Sequence, residues 1–521
     1  MSYRVWGWGE ASDEPTPDGL AALAAVVQET TGVAPQAPLT PAGAPVLPPS
    51  QRLAQLPTSL RGLASEDPVD RARHGIGRSY RDLVRAVSGR LDGAPDLVLR
   101  PGSERDVVDV LDWASSAGVP VVPFGGGTSV VGGVEPRDLD AAISLDLARL
   151  SGLVEVDSAS RAVRLRAGTL GPAAEEALRP HGLTLRFYPQ SFERSTVGGW
   201  LATRAAGHFS SRLTHVDDLV ESVRAVTPTG IWESRRLPGS GAGPSPDRLL
   251  LGSEGTLGVI TEGWLRAQPR PVHRWAATLA APDLATGGRA VRDLLQSGLA
   301  PATCRLLDGG EARLTATLTT GEAALVLGFE SLALPVTAEA GLAVQLCRDA
   351  GLRLVEAGDR GEAGTAWRSS FLRAPYLRES LLLLGVLVET FETAITWDRF
   401  DDLVATVTAA TTEALRRVCG GGRVTCRLTH VYPDGCAPYF TVLAPTRRGS
   451  EIAQWDEVKA AASEALLAAG GTITHHHAVG RDHRPWYDRQ RPDPFALALA
   501  GAQSAVDPAG ILNPGVLLPR R

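Results

Sequence analysis

The chain has 521 residues, of which 44% are hydrophobic and 21% are charged, and its formal net charge is −6 at pH 7. These values are typical of a soluble globular protein with more than one domain. Because the net charge is negative and no stretch is strongly basic, we expect no nucleic-acid partner. Lys459 is the single lysine, which argues against Schiff-base chemistry and against a Walker-type phosphate site.

The cysteines and the apolar runs favour a cytoplasmic protein. The five cysteines have no zinc-finger spacing, which indicates reduced thiols. Residues 1–10 lack the apolar core of a secretion signal. The longest apolar run, Leu381 to Val388, is far shorter than the ~20 residues that a membrane-spanning helix needs. Peripheral contact with a membrane and assembly as a homodimer both stay open.

The first clear unit in chain order is a strand, a helix and a second strand. Asp96 to Leu99 predicts the first strand. Ser103 can cap a helix that ends at Gly118, and Val119 to Val122 predicts the second strand. In α/β proteins, a strand that runs into an amide-rich loop is a common setting for phosphate binding.

Such a loop follows, from Pro123 to Gly133. Gly125 to Gly127 offer consecutive backbone N–H groups without side chains, and Thr128 and Ser129 add hydroxyl groups. A concave run of amides suits an anion such as pyrophosphate. Taken alone, a glycine-rich stretch between strands is more often only a turn.

Two further loops of this kind strengthen the interpretation. Ser195 to Gly199 precedes a helix predicted over Trp200 to Ala206, whose N-terminus would point free N–H groups outward. Gly252 to Thr261 forms a third amide-rich turn before a strand. Three loops that could all meet one large polyanion favour a dinucleotide over a single phosphate.

These loops carry a resemblance to a known superfamily. Their sequences, GGGTSV, STVGGWLATRAAG and GSEGTLGVITE, resemble in order and spacing the vanillyl-alcohol-oxidase/p-cresol-methylhydroxylase (PCMH-type) flavoproteins. Five later segments are similar to the alkyldihydroxyacetonephosphate synthases within that superfamily: PATCRLLD, ETFETAITWDR, CRLTHVYPDG, TITHHHAVG and DPAGILNPG. The resemblance implies an α+β fold in which a PCMH-type two-part FAD-binding domain is split in sequence by an inserted α+β cap domain.

The domain boundaries follow from this resemblance and from a change of pattern after Pro271, where long amphipathic helices alternate with strands such as Ala324 to Phe329 and Leu382 to Val388. The predicted parts are an N-terminal extension with a proline-rich connector at 1–94, the FAD-binding domain at 95–271, the cap or substrate domain at 272–470, and a C-terminal return at 471–521 that packs on the FAD site.

The resemblance implies FAD as the cofactor. We expect non-covalent binding, because position 128 is threonine and no cysteine lies near the glycine loops. Residues 255–259 would approach the isoalloxazine or ribityl region. The residues implied to contact FAD are Pro123, Gly125, Gly126, Gly127, Thr128, Ser129, Pro189, Ser191, Ser195, Thr196, Gly198, Gly199, Thr203, Glu254, Gly255, Gly258, Val259 and Ile260.

The run His475-His476-His477 is the most informative chemistry outside the loops. In an extended segment His475 and His477 would share a face, with His476 opposite. Imidazoles titrate near neutral pH and suit proton transfer. A metal site needs a third ligand, and none lies at a helpful local spacing, so no metal is expected. A structural histidine cluster is the alternative.

By resemblance, the reaction exchanges the acyl group of acyl-dihydroxyacetone phosphate for a fatty alcohol without net redox. Tyr439 would take a substrate proton with help from the three histidines, Arg378 would hold the phosphate, and Arg305 would lie near the flavin. A guanidinium is a fixed cation that fits phosphate. The chain departs from the family in having Ala-Val-Gly-Arg at 478–481, where Gly-Val-Gly-Lys is usual, and in a shorter segment at 306–389.

A second hypothesis is an FAD-dependent dehydrogenase or oxidase of 2-hydroxy acids such as D-lactate or glycolate. Across the two hypotheses, the expected small-molecule substrate is a lipid phosphate or a hydroxy acid. Metal-dependent members of that group carry a His-x-Gly-Asp-Gly-Asn-x-His element. His430 matches its first histidine, but Tyr439 stands near the second, which argues against a metal site. A flavin-binding scaffold without activity is disfavoured by the retained tyrosine, arginines and histidines.

Overall fold

The computed structural model describes residues 4–209, 215–358 and 374–520. The helices are α1 Pro17–Thr31, α2 Thr58–Arg61, α3 Pro68–His74, α4 Tyr80–Val87, α5 Glu104–Ala117, α6 Gly171–Leu178, α7 Val197–Thr203, α8 Pro246–Leu250, α9 Leu284–Gln296, α10 Gly309–Leu314, α11 Thr337–Asp349, α12 374–383, α13 Phe400–Cys419, α14 Glu451–Ala468, α15 Gly480–Gln490 and α16 Asp493–Val506. The strands are β1 Ala64–Ser65, β2 Leu97–Leu99, β3 Val121–Phe124, β4 Ile143–Asp146, β5 Leu153–Asp157, β6 Ala162–Arg166, β7 Leu183–Thr184, β8 Val220–Thr227, β9 Gly230–Glu233, β10 Val259–Arg266, β11 Gln268–Pro269, β12 His273–Ala281, β13 Thr303–Leu307, β14 Ala323–Ser331, β15 Arg353–Gly358, β16 Val386–Glu392, β17 Ile395–Thr396, β18 Arg423–Val431 and β19 Gly435–Pro445.

The predicted β-α-β unit is confirmed. Ser103 caps α5 by accepting from the N–H of Asp106, whose carboxylate accepts in return from the N–H of Ser103. Gly118 ends the helix in the left-handed region at φ 63°. The helix buries Val107, Val110 and related apolar side chains on the strand side. This packing places β3 so that it leads directly into the glycine loop.

Two sheets share the first hydrophobic core. One has the order β1-β2-β4-β3 with parallel pairing of β2, β4 and β3, and the other has the antiparallel order β5-β6-β10-β8-β9. The C-terminal return joins this body at its edge. The N–H of Val121 donates to Ile511, and the N–H of Asn513 donates to Val121. Residues from both ends of the chain therefore complete this core.

The second core lies on one side of a larger sheet. Its strands follow the order β15-β12-β14-β13-β18-β19-β16, with β17 paired to β19. Helices α9, α11, α13 and α14 cover one face, where Leu306, Leu428 and Phe440 are buried. Side chains of α1 and α4 pack into the same core, so residues from the N-terminal extension lie with this sheet.

Two predicted elements are shifted. The helix expected over Trp200 to Ala206 is α7, Val197–Thr203, because Thr196 provides the cap and accepts from the N–H of Gly199. The strand expected from Leu382 starts only at Val386, since residues 374–383 are helical and a turn at 384–385 separates the two elements. An apolar run without periodicity does not distinguish a buried helix end from a buried strand.

Candidate active site

A cavity of about 1360 Å³ lies between the glycine loops and the uncovered face of the larger sheet. It brings together most of the predicted site residues from both halves of the chain. They are Gly125, Gly126, Gly127, Thr128, Ser129, Pro189, Ser191, Ser195, Thr196, Gly199, Thr203, Arg305, Arg378, Tyr439, His476 and His477. A cavity of this size could hold a cofactor and a substrate together.

The first two loops form one wall because they pack directly on each other. A Cβ atom at Gly126 would overlap the carbonyl oxygen of Arg194, and one at Gly125 would overlap the hydroxyl of Thr196. Gly127 adopts φ 64° with the ring of Phe124 beneath it. Glycine at these positions is therefore required by close approach as well as by backbone conformation.

This wall fits an FAD pyrophosphate. Within residues 4–209, 215–358 and 374–520, the backbone N–H groups of 126–129 donate no hydrogen bond to another residue. They lie beside the N-terminus of α7, which also favours negative charge. The hydroxyl of Ser195 accepts from the indole of Trp200 at 2.7 Å, and this contact fixes the start of the second loop.

The third loop lies behind the first and does not line the cavity. A Cβ atom at Gly255 would crowd the ring of Pro123. The Glu254 carboxylate accepts from the N–H groups of Val479 and Gly480 at 2.8 and 2.9 Å, and burial raises its pKa to about 7. The loop thus ties the C-terminal return to the glycine loop. Predicted residues that are not in the cavity lining are Pro123, Gly198, Glu254, Gly255, Gly258, Val259, Ile260 and His475.

The opposite wall is a polar row on neighbouring strands. Tyr439 of β19 pairs in register with Arg427 of β18 on one side and with Glu392 of β16 on the other. The Arg427 guanidinium lies 3.9 Å from the centre of the Tyr439 ring and forms an ion pair with buried Glu311. The row therefore holds a buried cation against the Tyr439 ring.

Two further arginines face the cavity without an ion pair within the described ranges. Arg305 donates to the carbonyl oxygen of His208 at 2.5 Å, its Nη1 has no hydrogen-bond partner, and burial lowers its pKa to about 10. Arg378 of α12 donates to the hydroxyl of Thr390 at 2.7 Å and to the carbonyl of Arg78. Both cations are available to an anionic or carbonyl group in the cavity.

The histidine run is bent around one carboxylate. The N–H groups of His475, His476 and His477 donate to Glu392 at 2.6, 3.0 and 2.9 Å. The predicted alternation of side chains is wrong, because a single buried acceptor gathers all three amides and the segment is not extended. As a result, His476 and His477 line the cavity, whereas His475 lies behind them.

The histidines are uncharged at neutral pH. Burial, together with nearby His215, Arg305 and Arg427, lowers the pKa of His476 to about 3. Burial also lowers the pKa values of His475 and His477 well below the ordinary value, and the neighbouring His476 acts in the same direction. A neutral imidazole has one bare nitrogen and can accept a proton.

Several residues of the site were missed from the sequence. Glu392, Arg427 and Tyr432 were not singled out, and neither was His215. Their positions in the sequence gave no signal, because they meet the predicted residues only through strand pairing and chain folding. A clue was available for Arg427, which stands twelve residues before Tyr439 and across a predicted turn.

The argument against a metal from local spacing does not hold in the folded chain. His430 of β18 comes to the histidine run from another part of the sequence. Ligand nitrogens of His430, His475 and His476 lie within 4.8 Å of one another. This set could hold a cation in principle, although Arg305 places a positive charge nearby.

Two family models match the chain: the FAD binding domain over residues 95–234 and the C-terminal domain of FAD linked oxidases over 270–517. An alkyldihydroxyacetonephosphate synthase from Trypanosoma brucei brucei is 29% identical over 495 residues, which cover 88% of this chain and 80% of that protein. FAD is accordingly the cofactor of this chain.

Two solved structures have the same fold. A solved alkyldihydroxyacetonephosphate synthase superposes with a TM-score of 0.82 at 23% identity, covering 99% of this chain and 98% of the other. p-Cresol methylhydroxylase superposes with a TM-score of 0.72 at 13% identity, covering 90% and 96%. The predicted α+β fold with a split PCMH-type FAD-binding domain is therefore confirmed. Together with the matched domains and sequence relatives, these findings indicate an FAD-dependent enzyme of the alkyldihydroxyacetonephosphate synthase type.

Proposed function

We propose that this enzyme exchanges the acyl group of acyl-dihydroxyacetone phosphate for a fatty alcohol, with no net redox change. The observation that carries the proposal is the arrangement at Tyr439. This phenol lies under a buried guanidinium and beside neutral histidines. The same cavity contains an apolar region and two arginines that form no ion pair with a described residue.

Tyr439 is the proposed base that removes a proton from the substrate carbon. Its ring is 5.4 Å from that of His477 and 6.2 Å from that of His476, measured between centroids. Arg427 lies over the ring of Tyr439, and a neutral histidine can take the proton onward. The carbon loses one C–H proton and regains one, while the alcohol oxygen replaces the departing ester oxygen.

Arg378 is the proposed phosphate anchor. It lines the cavity, and within the described ranges it has no carboxylate partner that would neutralise it. A guanidinium can donate two parallel hydrogen bonds to a phosphate. Arg305, which lies on the other side of the polar row, is placed to meet a carbonyl of the flavin or the substrate.

The apolar region suits the alkyl chains. It is lined by the side chains of Trp8, Leu23, Val27, Leu377 and Leu381. Val26 and Leu377 are 52% and 45% exposed at the cavity rim. No helix of the described residues is both long and apolar enough to cross a membrane. We propose peripheral membrane contact at this rim, where a poorly soluble alcohol would enter.

FAD would be held by the amides and hydroxyls of 125–129 and by the start of α7, without a covalent bond. When bound, it supplies an electron-deficient ring that withdraws electrons from the substrate carbon and ends in its starting oxidation state. The predicted site residues outside the cavity lining and the four predicted parts of the chain stay part of this proposal. A homodimer and a cytoplasmic location stay predictions.

The test compares two kinds of substrate under anaerobic conditions. The purified holoenzyme is mixed with palmitoyl-dihydroxyacetone phosphate and a fatty alcohol, and separately with D-lactate or glycolate, while the flavin spectrum is recorded. We expect fatty-acid release and ether product without lasting flavin bleaching. Lasting bleaching by a hydroxy acid, with no fatty-acid release, would instead support the 2-hydroxy-acid dehydrogenase.

A further inference from the structure

Three histidine rings form a continuous row from the cavity toward the surface. His476 lines the cavity, and its Nδ1 lies 3.1 Å from Nδ1 of His475. The Nε2 atom of His475 lies 3.1 Å from Nε2 of His215. His215 is the outer member of the row and is partly exposed. Each of these distances allows one hydrogen bond between ring nitrogens.

Glu392 sets the direction of these hydrogen bonds. Its Oε2 lies 3.4 Å from Nδ1 of His476, so the carboxylate favours a hydrogen on that nitrogen. His476 then donates from Nδ1 to His475, and its Nε2 is bare. Because a neutral imidazole has one N–H, His475 accepts at Nδ1 and has its hydrogen on Nε2.

The outer link follows from the same rule. The Nε2–H of His475 can donate to Nε2 of His215, and the hydroxyl of Tyr432, at 2.5 Å from the same nitrogen, is a second acceptor. His215 then has its own hydrogen on Nδ1.

We propose that His476, His475 and His215 form a proton relay between the cavity and the surface. A proton that leaves Tyr439 enters at Nε2 of His476, whose ring is stacked on that of Tyr439 with 6.2 Å between the centroids. The Nδ1–H of His476 passes to Nδ1 of His475, and the Nε2–H of His475 passes to Nε2 of His215. The Nδ1–H of His215 leaves to water, so each ring again has one hydrogen, now on its other nitrogen. The proton that the carbon regains passes along the row in the reverse direction and restores the first arrangement. The proposal rests on the proposed function, in which a substrate C–H proton is lost.

The main experiment measures exchange of the substrate C–H hydrogen with D2O in the holoenzyme. The variant His215→Phe keeps the ring volume and removes both nitrogens, and His181→Asn, at an exposed histidine outside the row, is the control. We expect exchange to slow at least tenfold in His215→Phe, with FAD content unchanged and with partial rescue by added imidazole. Wild-type exchange in His215→Phe would overturn the relay.

A second measurement does not need substrate and separates failure of the relay from failure of the proposed function. In protein with 15N-labelled histidine, the spectrum should show opposite tautomers for His476 and His475, and Glu392→Gln should disturb this pattern. Equal tautomers in the wild type would overturn the relay even if fatty acid is released. Metal analysis completes the test. A stoichiometric ion bound by His430, His475 and His476 would occupy the lone pairs that the relay needs and would also overturn it.

Discussion

The two walls of the cavity are built in opposite ways. The wall that we propose to hold the flavin, formed by residues 125–129 and 195–199 and called the flavin wall, is made of backbone amides from short contiguous loops. Its side chains mainly keep the two loops in contact. The opposite wall, which we propose to meet the substrate and call the substrate wall, is made of side chains from separate strands, from α12 and from the histidine run. The amides of its strands are used up in the sheet. The first wall is therefore specified by local sequence, whereas the second depends on strand register over long sequence distances.

The largest effect should come from the substrate wall. Tyr439→Phe removes the proposed base and leaves the aromatic ring under Arg427. We expect turnover to fall by about 10²- to 10⁴-fold, the usual contribution of a positioned acid or base. The flavin absorbance per protein should not change. Tyr487→Phe, in the C-terminal return and outside the cavity lining, is the matched control. Loss of flavin in Tyr439→Phe would contradict the separation of the two walls.

A substitution in the flavin wall should instead weaken FAD binding. Gly126→Ala places a methyl group against the Arg194 carbonyl and pushes the first two loops apart. We expect FAD affinity to fall by about 100-fold. The free-energy change that this ratio represents lies at the upper end of the usual cost of overpacking. Flavin fluorescence titration measures this. Gly341→Ala, where a Cβ atom meets nothing within 4 Å, should bind FAD normally.

Arg378 tests the phosphate end of the substrate wall. Arg378→Met removes the cation while keeping an apolar side chain of similar reach. A charge-assisted hydrogen bond contributes about 1.5–3 kcal/mol, so we expect KM for the phosphorylated substrate to rise between about 10- and 100-fold. Turnover at saturation should change less than KM. An unchanged KM would place the phosphate elsewhere in the cavity.

The same contrast explains what could be read from the sequence. The glycine loops, the cap at Ser103 and the fold were predictable because each is encoded within a few neighbouring residues or in motifs of fixed order. The contacts of Tyr439 were not, since Arg427 and Glu392 reach it only through the β18-β19-β16 register. The shape of the histidine run was also hidden, because a distant carboxylate determines it.

The neutral histidines of the substrate wall predict a sensitivity to acid. Burial holds the pKa of His476 at about 3, below its ordinary value of about 6.5, so the unfolded chain binds a proton that the folded chain does not. Stability therefore falls as pH decreases from 6.5. Between pH 7 and pH 5 this histidine alone should remove about 2 kcal/mol. In urea unfolding, the free energy of unfolding of His476→Gln should fall between pH 7 and pH 5 by about 2 kcal/mol less than that of the wild type. A parallel decline in both proteins would contradict the assigned protonation state.

The smallest predicted effect concerns the junction between the two walls. Ala478 follows the histidine run and adopts φ 71°, in the left-handed region where a Cβ atom is strained by about 1 kcal/mol or more. Glycine relieves that strain but adds freedom to the unfolded chain. We expect Ala478→Gly to raise the free energy of unfolding by up to about 1 kcal/mol, whereas Ala498→Gly, on the exposed side of α16, should lower it by a similar amount. Urea unfolding measures both changes. If both variants change the free energy of unfolding in the same direction, the Ala478 backbone is not held in the left-handed region. The anchoring of the histidine run to the glycine loop through Glu254 would then be looser than the structure shows.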